Sequence, residues 1–395
     1  MAAIHTLRSL GFDGRVVLVG EEELLPYERP PLSKQFLTDR DSLPDGPPGP
    51  RFPLDESWYR DGEVDLLLGR RATGLDVGGR RLILSSGEHI EYDTVLLATG
   101  SAPVEPFPPS ERVRYLRTFG DAVGLRELMG AIAHLAVVGG GFIGCEVASA
   151  GRALGAEVTM IEARELPLEM QLGAGMGAVV ERIHRDAGVR VVVGEPVRSV
   201  VERDAGVVVG TSSGTLFEAD AAVVALGARP RVELALAARL PIDGGIAVDQ
   251  YLRAAPGVLA AGDVASHPHP LFGKRLRVEH YDNALKQGAA AARAVLGDAR
   301  PHSDPLWFWS DQHGCRIETA GLPASGDVVV RGSVANLDFV EFRLVDGRIT
   351  GAASVNRSRD MRRVRRLIAA RSRPSPEDLA DEDVPLETLL ERSGR

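Results

Sequence analysis

The residues from Leu135 to Ala163 read LAVVGGGFIGCEVASAGRALGAEVTMIEA. A short apolar run, Leu135 to Val138, meets glycines at 139, 141 and 144. A helical segment follows through Leu154, and a second apolar run, Val158 to Ile161, ends on Glu162. This succession of strand, glycine turn, helix, strand and acid is the dinucleotide-binding fingerprint in the context it requires. Gly139 permits the tight turn, Gly141 lets the backbone approach a diphosphate, and Gly144 lets helix and strand pack closely. Phe142 and Ile143 open the helix, where unpaired N–H groups and the helix dipole favour an anion. Glu162 is placed to accept hydrogen bonds from ribose hydroxyls and would repel a 2′-phosphate, an effect that Arg164 slightly weakens. The pattern predicts an NAD site that prefers NADH. The plainer reading is a parallel α/β turn with nothing bound.

The chain has 395 residues, a length that suggests two or three domains, each able to bury a core. A hydrophobic share of 44% and a charged share of 26% are those of an ordinary globular protein. The net charge of −9 argues against nucleic acid as a partner, and no basic stretch is interleaved with aromatics. No apolar run reaches the ~18 residues that a membrane-crossing helix needs, and no signal peptide opens the chain. Cys145 and Cys315 stand alone, with no CxxC redox pair, and no metal site is expected. A cytoplasmic setting is expected. Cys145 reads as a small packing residue.

Upstream, Ala2 to Leu10 reads as a helix and Arg15 to Val19 as a strand that leads to Gly20 and Glu21. These are the second half of another βαβ unit, and its first strand and glycine loop do not precede it. In the segment from Glu21 to Leu37, EEELLPYERPPLSKQFL, the prolines predict no regular element before about Leu32. Asp39 to Pro53 reads as surface loop. Four short strands are expected between Val64 and Tyr92. DTVLLATG, Asp93 to Gly100, reads as a buried strand ending in a turn at Thr99 and Gly100. ADAAVVALGARP, Ala219 to Pro230, repeats that layout around Gly227, which suggests a duplicated or inserted nucleotide domain. PGVLAAGDVA, Pro256 to Ala265, ends a strand in Gly262 and Asp263, and an acid there faces a ligand crevice. In the run Trp307, Phe308, Trp309 not every ring can face inward on one strand. Asp360 to Arg371 is a basic helix, and Pro374 to Arg395 reads as an acidic, weakly structured tail.

Taken together, these motifs resemble the FAD-dependent, NADH-dependent ferredoxin reductases that serve oxygenase and cytochrome P450 electron chains. The matching stretches are PYERPPLSK (Pro26 to Lys34), LLATGSAP (Leu96 to Pro103) and VVGGGFIGCEVAS (Val137 to Ser149). ALGARP, AAGDVA, VEHYDNALKQG (Val278 to Gly288) and FWSDQHG (Phe308 to Gly314) continue in family order. The resemblance implies an α/β fold with two Rossmann-like domains, the FAD domain being split by an inserted NAD domain, and a C-terminal α+β domain. The corresponding segments are 1–114 and 238–308 for FAD, 115–237 for NAD, and 309–395 for the C-terminal domain.

It also implies residue roles. Glu21 would hold the FAD adenosine ribose, Arg29 and Lys34 would lie near flavin and pyrophosphate, and Asp263 would hold the ribityl chain. Trp309 would stand beside the isoalloxazine ring, and with Lys34 it is a candidate catalytic residue. Tyr281 replaces the family's usual Trp. Hydride would pass from nicotinamide to flavin with no obligatory protein base. Without a CxxC pair, electrons would leave singly to a [2Fe–2S] ferredoxin-type partner. Ferredoxins are typically acidic, so docking is expected at a local basic patch, Arg359, Arg362, Arg363 and Arg366, with Arg365 on the same helix. The family begins with a strand and glycine loop that cradle the FAD pyrophosphate; here Met1 falls inside the following helix. A start codon further upstream is therefore expected. The alternatives are an FAD-deficient nucleotide sensor or scaffold, or a flavin reductase that gives electrons to oxygen or quinone.

Overall fold

The computed structural model describes residues 1–39, 49–298 and 300–392. Most of the loop expected between Asp39 and Pro53 therefore lies outside the described residues, as do residues 393–395 of the tail. The described residues form two compact units. Among the described residues, one draws on 1–28, 49–102, 229–298 and 300–304; the other draws on 29–39, 103–228 and 305–392.

In the first unit, Val16–Val19 pairs in parallel with Val64–Leu67. Ala72–Asp76, Arg81–Leu84 and His89–Glu91 form an antiparallel meander. Val95–Leu97 runs parallel to Val258–Ala260, and Leu97, Val258 and Ala260 lie in the unit's main apolar core. Helix Ala2–Ser9 packs on the alanine-rich helix Tyr281–Val295. Small residues set that spacing, because a Cβ on Gly288 would stand only 3.1 Å from Ala2 Cβ. Helix Glu56–Asp61, which the sequence reading passed over, is capped by Asp55, whose side chain accepts the Trp58 N–H.

The second unit carries the fingerprint. Its parallel sheet has the order Arg190–Val192, Glu157–Ile161, His134–Val138, Ala221–Val224, Val113–Arg114. His134–Val138 is central, and its Leu-Ala-Val-Val run is buried throughout, as a strand covered on both faces requires. Helix Phe142–Ala153 returns the chain, and helix Ala174–Asp186 follows further on. A five-stranded antiparallel sheet, Trp307–Gln312, Cys315–Gly321, Arg348–Val355, Asp338–Val345 and Asp327–Ser333 in spatial order, closes the chain. Helix Ser358–Ala369 packs on it through Met361, Val364, Leu367 and Ile368.

Two local expectations are corrected. The prolines of RPPLSK do not delay regular structure: Pro30–Ser33 is a 3-10 helix with proline in its first positions, where a missing N–H costs nothing. The acidic tail is ordered into helices Pro376–Ala380 and Leu386–Arg392. Its anchor is Arg331, whose guanidinium donates to the carbonyls of Leu379, Asp381, Glu382 and Val384. Composition hides an ordering of this kind, since the holding group lies on a distant strand.

Candidate functional site

In the second unit two of the fingerprint glycines, Gly139 and Gly144, have separate steric reasons. Gly139 adopts φ +106°, and a Cβ there would meet the Ala225 carbonyl oxygen at 2.5 Å. A Cβ on Gly144 would lie 2.0 Å from the Gly139 carbonyl oxygen, so helix and turn close only on glycine. Gly141 differs, for its Cβ would meet nothing within 4 Å. The backbone at Gly141 thus faces open space at the start of a helix with no side-chain cap. That is the cradle a diphosphate fits. Ile143 is exposed beside it, and the Phe142 ring packs against Phe308 at 4.3 Å.

The acid completes this turn. Glu162 Oε2 accepts the Gly140 N–H at 2.6 Å, and Oε1 accepts the Arg164 N–H at 2.8 Å. Gly140 was not singled out in the sequence, yet a Cβ there would stand 3.0 Å from Glu162 Oε2 and from Pro167 Cβ. The middle glycine of the three consecutive ones therefore makes room for the acid. Gly227, at φ +91°, also faces open space. These residues fit an NAD adenosine diphosphate moiety.

Around Lys34, in the same unit, the chain builds a buried polar cluster. Lys34 Nζ lies 2.8 Å from Glu146 Oε1, with both side chains largely enclosed. Ser33 and Ser310 donate their hydroxyl protons to the same carboxylate. Gln312 Nε2 donates to Ser310 Oγ at 2.9 Å, while its Oε1 meets His184 Nε2 at 3.1 Å. Sequence reasoning found Lys34 and missed Glu146. The available signal was a carboxylate beside Cys145 on the buried face of the fingerprint helix, where burial without a partner is costly. Arg29 donates to the Arg117 carbonyl at 2.6 Å. Cys145 is fully buried, which pushes its thiol well above the usual range.

Trp307 and Trp309 stack at 5.0 Å on one face of their strand, while Phe308 turns to Phe142 on the other. Arg365 lies over Trp307 and Arg316 over Trp309. A cavity of about 330 Å³ is lined by Trp307, Arg316, Glu318, Ser358, Arg362 and Arg365. On helix Ser358–Ala369, Arg359, Arg362 and Arg366 are exposed, whereas Arg363 is engaged by Glu387 and Asp360.

In the first unit, Glu21, Thr99 and Gly100 meet on one residue, Arg231. Its guanidinium lies 2.8 Å from Glu21 Oε2, its carbonyl accepts the Thr99 hydroxyl, and its N–H donates to the Gly100 carbonyl. Arg71 reaches Glu21 Oε1 at 3.4 Å. Asp263 Oδ2 accepts the Ser101 hydroxyl at 3.0 Å. Gly262, at φ +80°, donates its N–H to Gln287 Oε1. Tyr281 donates to Glu28 at 3.3 Å, and burial, then the Glu28 charge, push its phenol up to about 12. Among the described residues no group of three His, Cys, Asp or Glu side chains is placed to hold a metal ion.

Comparison with known proteins bears on both units. The pyridine nucleotide-disulphide oxidoreductase family profile matches residues 1–288, and a reductase C-terminal profile matches 307–390. Rhodocoxin reductase of Rhodococcus erythropolis is 37% identical over 99% of this chain and 92% of its own length. The ferredoxin–NAD(+) reductase component of the anthranilate 1,2-dioxygenase system of Burkholderia cepacia is 39% identical, over 98% of this chain and 95% of its own. Among solved structures, a covalent putidaredoxin reductase–putidaredoxin complex aligns with TM-score 0.93 and 31% identity, covering 100% of this chain and 96% of that one.

Proposed function

The chain belongs to the pyridine nucleotide-disulphide oxidoreductase family, and we propose that it is the NADH-dependent ferredoxin reductase of an oxygenase electron chain. The observation that carries this reading is the open Gly141 backbone at an uncapped helix start, with Glu162 beside it, in a chain whose two cysteines are both free. Relatives named as ferredoxin–NAD(+) reductase components align over nearly the whole chain. FAD, when bound, accepts a hydride as an electron pair and gives the electrons up singly.

The chain's own residues bind and orient. Gly139, Gly141, Phe142, Ile143 and Gly144 would present backbone to the NADH diphosphate, and Gly227 a second open turn. Glu162, with Arg164 alongside, would take the ribose hydroxyls. Glu21, Thr99, Gly100, Gly262, Asp263 and Tyr281, together with Arg29 and Lys34, would hold FAD, with Trp309 beside its ring system. With neither cysteine in a disulfide, no dithiol step intervenes. We assign 1–114 and 238–308 to the FAD domain, 115–237 to the NAD domain and 309–395 to the C-terminal domain. The acidic [2Fe–2S] partner would dock on Arg359, Arg362 and Arg366. Among the described residues no helix is long and apolar enough to cross a membrane, and free thiols suit a reducing cytoplasm.

The test is a visible absorption spectrum of the purified chain, followed by anaerobic NADH and then a [2Fe–2S] ferredoxin. Flavin bands that bleach with NADH and return with ferredoxin support the reading. A chain that stays colourless with added FAD overturns it. Bands that return only with oxygen or quinone make it a flavin reductase instead.

A further inference from the structure

Glu146 is 3% exposed, and nothing in the binding of NADH requires it. Its surroundings fix the direction of a long line of hydrogen bonds. Ser310 has one hydroxyl proton and gives it to Glu146 Oε1 at 2.6 Å, so its oxygen must act as the acceptor toward Gln312. Gln312 therefore turns its Nε2 to Ser310, at 2.9 Å, and its Oε1 to His184 Nε2, at 3.1 Å. A carbonyl cannot donate, so His184 carries its proton on Nε2. Burial, together with the neighbouring His313 ring, lowers His184 to about 4, which leaves it neutral near pH 7. Its bare Nδ1 then accepts His313 Nε2–H at 3.0 Å. His313 is lowered to about 4 by burial and by Arg152, and its backbone N–H is held by Ser149 Oγ at 2.7 Å.

Every donor on this line, from His313 through His184, Gln312 and Ser310, points toward Glu146. The line is not a proton conduit, because an amide in its middle passes no proton without leaving its stable tautomer. What it transmits is orientation. We propose that His184 is a positioning residue for the Lys34–Glu146 pair, acting through Gln312 and Ser310. Without the His184 N–H, nothing prevents the Gln312 amide from turning over. Its oxygen would then take the Ser310 proton, and Glu146 would lose one of its three donors: Lys34, Ser33 and Ser310. Lys34 would be left on a less ordered anchor, with the Pro30 carbonyl at 3.3 Å beside it. The buried Cys145 thiol also feels the charge of this carboxylate and stays protonated.

The inference rests on the reductase reading for its kinetic arm alone. With ¹⁵N-histidine in the full chain at pH 7, His184 is expected to show a protonated Nε2 and a bare Nδ1. Three variants separate orientation from packing. His184→Leu removes the donor. His184→Gln puts an amide N–H where Nε2 was. Gln312→Glu keeps the acceptor for His184 but cannot donate to Ser310. In the FAD-loaded protein, His184→Leu and Gln312→Glu should each lower kcat for NADH-driven ferricyanide reduction about tenfold, the value of one hydrogen bond to an ionised group. His184→Gln should recover most of that loss, with KM for NADH unchanged in all three. Without flavin, Lys34 should be acetylated several-fold faster in the two impaired variants, read by mass spectrometry. A His184 proton on Nδ1, or equal Lys34 labelling in His184→Leu and His184→Gln, overturns the proposal. If His184→Leu does not fold, Gln312→Glu carries the comparison. If no loaded form turns over, the reductase reading fails, while tautomer and labelling still decide the role of His184.

Discussion

Glu162 accepts the Gly140 N–H through one carboxylate oxygen and the Arg164 N–H through the other, at 2.6 and 2.8 Å. The acid that a ribose would meet is therefore set in place by the glycine turn itself. In the proposed NADH site both oxygens would keep lone pairs for hydroxyls, and the charge would oppose a 2′-phosphate. Glu162→Gln keeps an acceptor and removes the charge. It should lower the NADH/NADPH ratio of kcat/KM by about tenfold, the scale of one charge-assisted contact. Glu162→Ala should lower the ratio similarly and also reduce kcat/KM for both nucleotides, because two turn N–H groups lose their partner. An unchanged ratio in both variants places Glu162 away from the ribose.

Arg231 concentrates three expected FAD residues on one side chain and its backbone. The Glu21–Arg231 pair is close to half exposed, so its stability contribution is small, under about 1 kcal/mol. Arg231→Ala should leave Tm within a few degrees of the parent, yet raise the FAD Kd several-fold by freeing Glu21 to rotate. Fluorescence titration of apoprotein with FAD checks it. A large fall in Tm with unchanged Kd would make the pair structural.

How much of this was legible beforehand depended on whether a residue's partner was near in sequence. The fingerprint read correctly because its logic is local: strand, turn, helix and acid lie within one βαβ unit. Helix Phe119–Met129 has an equally local start, a Thr118–Asp121 capping box. Strand alternation told only that Trp307, Phe308 and Trp309 could not all face inward; the stacking of Trp307 on Trp309 is the structure's addition. Glu146, by contrast, looks like any helical carboxylate until Ser33, Lys34 and Ser310 arrive from distant segments. Arg231 was hidden for the same reason, as was the ordering of the tail by Arg331. Charge counting also misjudged the basic helix. It scored Arg363 as available, although Glu387, from the tail read as weakly structured, holds it.

Buried histidines give the protein a defined acid sensitivity. Burial is the leading cause in each case, lowering His184, His269 and His280 to about 4 and His267 to about 3. The unfolded chain binds these protons at about 6.5, above the folded values, so protonation favours unfolding. Stability is therefore full above about pH 6.5 and falls as pH drops toward 4, by up to about 3 kcal/mol for each ring. Denaturant midpoints measured from pH 7.5 to 4 should decline with a slope steeper than one proton. His267→Gln should flatten that slope. A midpoint independent of pH across this window would show that the rings are hydrated.

The last prediction concerns the basic helix Ser358–Ala369. Arg359, Arg362 and Arg366 are exposed on it, whereas Arg363 is bound to Glu387 and Arg365 covers Trp307. Charges at an exposed rim act mainly on encounter rate and its salt dependence. Reversing the three exposed charges, Arg359→Glu, Arg362→Glu and Arg366→Glu together, should raise KM for an acidic ferredoxin by tenfold or more at low salt. The effect should shrink as ionic strength rises toward 0.5 M, where screening removes the attraction in both proteins. Ferricyanide reduction should stay at the parent rate, since NADH and flavin are untouched. Arg363→Glu makes the contrasting control. It opposes Glu387 and should loosen the tail, visible as a lower Tm and faster proteolysis after helix Ser358–Ala369, with a smaller change in ferredoxin KM. Equal losses with ferredoxin and ferricyanide in the triple variant would remove this helix from docking and place its arginines in the fold alone.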